Sequence, residues 1–295
     1  AKGELRQSIS EINKTTEPVA YSRFIFRAFD PIWCIPDRRI CVEPKAPLWA
    51  TSSDRQLFLV TQSKSETGSG STAFASAYMV DFNAFSGRGS RVAPLWRDAD
   101  ATEPNLNKDL LEQLTAQHDA LAPEDVFYYL VGILGPAAFA KRFSDELLEL
   151  NARVPITREP VLFAEVAEFG RRWVEASTYG KRAAKRNRYG VPEPAILGGR
   201  AYIASGSSSA PEDYPVNGGE YDAQTNTLRI GPAGEIRDVS PEVYWYELSD
   251  MHLIGRFFET RGAPYPKVND DEELALIRPE RWEFDEELLR LIHLI

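Results

Sequence analysis

The chain has 295 residues, of which 43% are hydrophobic and 11% aromatic, enough for a packed core and too many for extensive disorder. Its 34 Lys and Arg stand against 44 Asp and Glu, a net charge of −10, which excludes a uniformly basic nucleic-acid protein but not a local basic face. No run approaches the roughly 18 apolar residues that span a bilayer, so no membrane partner is expected. Two cysteines, Cys34 and Cys41, make no disulfide framework and suit a reducing cytoplasm. The start, Ala1-Lys2-Gly3, offers neither an initiator Met nor an apolar signal core, and reads as a piece of something longer or a processed start.

Strand patterns come first along the chain. Tyr21 to Ala28 alternates aromatic and other residues, and Ile32 to Ile35 faces Ile40 to Val42 across Pro36-Asp37-Arg38-Arg39 as a hairpin. In that hairpin Cys34 and Cys41 lie nearly opposite; reduced thiols are the expectation, although a cross-strand disulfide fits on distance. Leu57 to Val60 and Ala77 to Val80 are further strands, with a flexible Ser/Gly loop over 65–71 between them. The middle is helical. Pro123-Glu124-Asp125 opens a helix that Gly135-Pro136 breaks, Phe139 to Leu150 resumes it, and Leu162, Phe163, Val166, Gly170, Trp173 and Val174 form a further apolar stripe. Strands return over 196–203 and around Thr225-Asn226, with a Ser/Pro linker over 205–215. Ser240-Pro241 starts a helix whose buried face is Tyr244, Leu248, Met251, Ile254 and Phe258, and Phe284 to Ile295 is a closing helix.

Catalytic templates fail. The three histidines lack a second ligand at metal spacing: His118 ends a polar helix and is expected to be solvated, while His252 and His293 lie in helices. No nucleophile elbow is present. Phe85-Ser86-Gly87-Arg88-Gly89 fits an FxGxG S-adenosylmethionine loop and Asp30-Pro31-Ile32-Trp33 loosely fits a DPPY motif. No amphipathic helix follows the glycines and the second proline is missing, so the glycines are read as a turn. The fragment itself is expected to be non-catalytic and to hold no cofactor or metal.

Charge is segregated. Residues 1–97 hold 13 basic and 9 acidic residues, 98–150 hold 3 and 11, 151–265 hold 14 and 15, and 266–295 hold 4 and 9. Lys181, Arg182, Lys185, Arg186 and Arg188, interleaved with Asn187 and Tyr189, form a run without an acid that can neutralise phosphates; the alternative is a solvated basic loop. If the preceding helix continues, Arg171, Arg182 and Arg186 share a face. A second set is Arg23 and Arg27 on one strand face, Arg38 and Arg39 at a hairpin tip, and Arg88 and Arg91 around a glycine loop. All six are arginine, whose planar fork donates two bonds to guanine O6 and N7 where lysine is a point charge.

Here a family resemblance emerges. Tyr21 to Asp30, with Trp33 and the Asp37-Arg38-Arg39 turn, resembles the opening of the C-terminal specificity domain of Type ISP-like restriction–modification proteins. In order follow Phe85 to Gly89 with Pro94-Leu95-Trp96, Pro104 to Asn107, Pro123 to Leu130, Arg153 to Ile156, Leu162-Phe163 with Gly170, Thr178-Tyr179-Gly180, and Val243 to Ser249 with Arg256-Phe257-Phe258 and Arg261. The resemblance spans about residues 20–262. It departs at Ala28, where the family usually has Pro, and at Ser177, where a His often stands. It implies a target-recognition module that binds double-stranded DNA next to an adenine-specific methyltransferase domain of the same protein, whose cofactor is S-adenosylmethionine.

The expected fold is α+β: a strand-rich DNA-recognition part over 1–100, a helical part over 101–190, β-hairpins over 191–240 that rejoin the strands, and C-terminal helices over 241–295. The expected contacts are Arg23, Arg27, Arg38, Arg39, Arg88, Arg91, Lys181, Arg182, Lys185, Arg186, Arg188 and Tyr189. The rival reading is a protein–protein scaffolding module of a defence complex that reads no bases.

Overall fold

Alternation of aromatic and basic residues shapes the first sheet of the computed structural model, which describes residues 14, 21–36, 46–62, 70–85, 89–118, 121–147, 153–181, 199–205, 219–231, 234–261 and 284–295. Strand β1 (Ser22–Arg27) turns at Ala28-Phe29 into β2 (Asp30–Cys34). A short helix α1 (Ala46–Trp49) precedes β3 (Phe58–Gln62), β4 (Ala73–Ser76), β5 (Met79–Val80) and β6 (Ser90–Pro94). One sheet has the order β2-β1-β5, with β5 parallel to β1; the other is an antiparallel β4-β3-β6. The sequence points to a hairpin of 32–35 with 40–42. The pairing the structure shows for β2 is with β1, through a turn that Phe29 makes at φ 61°, a conformation a Phe rarely signals. Residues 37–45, Cys41 included, lie outside the described residues.

The helical part follows its punctuation. Helix α2 (Lys108–Gln117) is capped by Asn107, whose side chain accepts from the Leu110 N–H. Helix α3 (Pro123–Leu134) starts at its proline, and Asp125 accepts from the Ala122 N–H at 2.9 Å, as an acid in a first turn does. The resumed helix is two short pieces, α4 (Ala137–Arg142) and α5 (Ser144–Leu147). Helix α6 (Pro160–Ser177) lies against α3 so closely that a Cβ on Gly170 would meet the Tyr128 carbonyl oxygen at 1.8 Å. Only glycine permits that crossing. The stripe on α6 is narrower than expected: Phe163, Gly170 and Val174 are buried but Leu162 is exposed. The helix also stops at Ser177, before Lys181, and Arg182 and Arg186, with which Arg171 is expected to share a face, lie outside the described residues. Tyr179 (φ 51°) and Gly180 (φ 71°) turn the chain away.

Strands β7 (Tyr202–Ser205), β8 (Glu220–Asp222), β9 (Thr227–Ile230) and β10 (Gly234–Arg237) form a sheet in the order β7-β10-β9-β8. Ser240 caps the one-turn helix α7 (Pro241–Tyr244), and then the expected long helix breaks. Strands β11 (Glu247–Leu248) and β12 (Met251–His252) make a hairpin with Ser249 at φ 61°, followed by α8 (Leu253–Arg261) and the closing α9 (Phe284–Leu294). Tyr244, Leu248, Met251, Ile254 and Phe258 are nonetheless all buried in one core. That core joins Ile25 and Val80 of the first sheet to the late strands and to Leu288 and Ile292 of α9. Two further cores lie under β3 and between α2, α3 and α6. The architecture is α+β, as expected.

Candidate nucleic-acid interface

The end of α6 is bonded to the first hairpin. The Tyr179 hydroxyl donates to the Phe29 carbonyl at 2.6 Å, linking two residues that both hold positive φ. Such conformations persist where surrounding contacts over-determine them. The bond brings Lys181 beside the first sheet, its ammonium 4.2 Å from the Tyr78 ring centroid, a favourable cation–π geometry. Arg23 and Lys181 thereby line one cavity of about 460 Å³, with Asp30, Tyr78, Glu287 and Arg290 among its other walls. Asp30 is buried and Arg290 is only loosely paired with Glu286, at 3.5 Å. The cavity joins three cations from three separate stretches of sequence.

The other described candidates lie elsewhere. Arg27 donates from Nη1 to the Phe26 and Asn83 carbonyls, both at 3.1 Å, and lies 4.2 Å over the Phe26 ring. It braces the hairpin against the turn after β5. A register shift between Ile25 and Arg27 separates it from the simple face shared with Arg23. Arg91 is exposed on β6, opposite Thr61. Arg38, Arg39, Arg88, Arg182, Lys185, Arg186, Arg188 and Tyr189 lie outside the described residues.

Carboxylates sort the arginines. Arg55 pairs with Glu124 and Arg97 with Glu103. Arg171 is held from Nε and Nη2 by Glu168 at 2.7 and 2.6 Å and from Nη1 by Glu175. The Glu168 bond raises its pKa above the ordinary arginine value, against the effect of burial. Arg23 and Arg91 are not ion-paired among the described residues. The contacts expected from the sequence include neither Trp33 nor Arg290. Trp33 is 58% exposed under the Arg23 guanidinium, and an exposed Trp beside Arg in a strand is a signal the sequence carried. Nothing in the sequence places Arg290 there.

His118 corrects an expectation: it is buried at the end of α2, its ring 4.4 Å from that of Phe163, and among the described residues neither ring nitrogen has a hydrogen-bond partner. His252 bonds the Tyr244 carbonyl and His293 the Ala201 carbonyl at 2.7 Å. No group of three metal-ligating side chains occurs among the described residues. Among them, too, no helix is long and apolar enough to cross a membrane. The glycine string ends at Gly89 (φ 81°) and opens β6, which pairs with β3. A strand in that position does not fit a nucleotide cradle, which needs a helix start.

Solved structures of DNA-bound restriction enzymes share this fold. The chain superposes on a DrdV–DNA complex with a TM-score of 0.68 at 12% identity, covering 97% of this chain and 28% of that one. For the ATP-dependent Type ISP restriction–modification enzyme LlaBIII bound to DNA the values are 0.63, 14%, 99% and 18%. For a nuclease-deletion mutant of the Type ISP enzyme LlaGI with a DNA substrate mimic they are 0.60, 15%, 95% and 24%. The chain thus spans less than a third of each neighbour's length. Among curated proteins nothing matches it. The model of the Type ISP C-terminal specificity domain matches residues 1–294, and the chain belongs to that family.

Proposed function

We propose that this chain selects the DNA target of a restriction–modification enzyme. The family match over residues 1–294 carries the reading, and the DNA-bound enzymes that share the fold support it. In this reading Arg23, Arg27, Arg38, Arg39, Arg88 and Arg91 face the duplex from the strand-rich part, and the run from Lys181 to Tyr189 grips phosphates. A methyltransferase domain of the same protein would supply the chemistry, transferring a methyl group from S-adenosylmethionine to an adenine turned out of the helix. The cofactor is assigned to that domain because the family resemblance places the methyltransferase motifs there. The site of action is the cytoplasm.

Anisotropy of a labelled duplex tests the phosphate grip. Replacing Lys181, Arg182, Lys185 and Arg186 together by Ala should weaken binding roughly tenfold or more at moderate salt. Unchanged affinity removes the run from the interface. A scaffolding role is the second reading. The exposed Val161, Leu162 and Phe169 on α6 favour it, because clustered apolar surface marks contact sites.

A further inference from the structure

Arg23 differs from the other described contacts in what it has left to give. We propose that Arg23 reads a guanine, presented edge-on by Trp33 and the Pro31 carbonyl; this deepens the DNA-recognition reading and rests on it. A guanidinium is planar and carries five N–H donors in a fixed fork. Nη1 of Arg23 donates to the Pro31 carbonyl at 3.2 Å, and the group lies 4.2 Å over the centroid of Trp33. Tyr21 meets that indole edge-on at 5.3 Å. Both contacts fix the orientation of the fork, and neither is a carboxylate, so the charge stays available. The edge formed by Nε and Nη2 has no protein partner among the described residues. Two parallel donors on one rigid edge match O6 and N7 of guanine.

The neighbours lack one requirement each. Arg27 spends Nη1 on two carbonyls and stacks on Phe26 inside the hairpin. Arg91 is exposed but has no stacking partner or hydrogen bond among the described residues to orient it, which suits a phosphate. Lys181 has no fork. Trp33 is more than half exposed and Tyr21 is 71% exposed, so these rings contribute little to the core and their use lies at the surface. Trp33 is a positioning residue; Arg23 makes the contact.

Selection from a randomised duplex pool by the 295-residue chain tests the assignment. The wild-type chain should enrich a consensus containing a guanine. Arg23→Lys should lose the preference at that one position by roughly 5- to 100-fold. Because lysine keeps the charge, the salt dependence of binding should stay the same. Trp33→Leu should weaken the same preference and Trp33→Phe should restore most of it, with unchanged melting temperatures as the fold control. A consensus identical at every position in Arg23→Lys, with uniformly weaker binding, would make Arg23 a phosphate contact and overturn the assignment while leaving DNA recognition standing. A wild-type pool without any consensus would overturn both.

Discussion

Two arginines show how differently the hairpin and the long helix treat positive charge. Arg171 on α6 is closed by Glu168 and Glu175, whereas Arg23 on β1 is held by a carbonyl and an indole. Both are oriented by their surroundings. The groups that orient Arg23 are neutral, so among the described residues no carboxylate pairs with it, whereas two pair with Arg171. A count of basic residues cannot make that distinction. The net charge of −10 conceals it further, since 98–150 and 266–295 hold most of the excess acid.

The comparison breaks most completely if the helical half is opened. Gly170→Val would drive a side chain into the Tyr128 carbonyl, where even a Cβ sits at 1.8 Å. It should cost about 3 kcal/mol or more, measured by chemical denaturation. A sharper test exchanges the two arginines' fates. Arg171→Met removes the guanidinium that pairs with the buried Glu175 and should cost about 2 kcal/mol, a value discounted for the partial exposure of Arg171. Salt-dependent DNA binding should persist. Arg23→Met should change stability by less than about 0.5 kcal/mol and lose affinity instead. If both variants lose stability and neither loses affinity, the hairpin arginine is structural.

Smaller effects refine the picture. His118→Phe removes two buried ring nitrogens that have no partner among the described residues and keeps a ring against Phe163; it should stabilise the protein by about 1 kcal/mol, read as a raised melting temperature. The smallest effect is electrostatic. Asp98 accepts the N–H groups of Glu103 and Thr102, chiefly the former, and its pKa is held below the ordinary carboxylate value. Because the folded value is the lower one, this contribution is full above the ordinary carboxylate range and is lost as the pH falls through the folded value. Asp98→Asn should therefore slightly flatten the acid limb of a stability–pH profile.

Local punctuation made α3 legible: Pro123 with two acids at its start and Gly135-Pro136 at its end. The stretch after Ser240 misled because its apolar spacing fits a helix equally well as a helix–hairpin–helix. The turn at Ser249, with positive φ, leaves no glycine to announce it. Strand β4 was passed over because Ala73–Ser76 is buried along its whole length and so shows no alternation. His118 was misjudged because the polar helix it ends packs on α6 through Leu114 and the His118 ring itself. At the site, the arginines were visible as residue types. The cavity was not, since Arg23 and Lys181 line it together from stretches of chain about 150 residues apart that the Tyr179–Phe29 bond links.

The salt dependence of duplex binding by the wild-type chain tests the central claim most directly. The account predicts that log K falls linearly with log salt, with a slope of about −0.9 for each phosphate engaged, and hence a slope of several units. Binding that is undetectable near 50 mM salt, or an affinity indifferent to salt, would contradict DNA recognition by this chain.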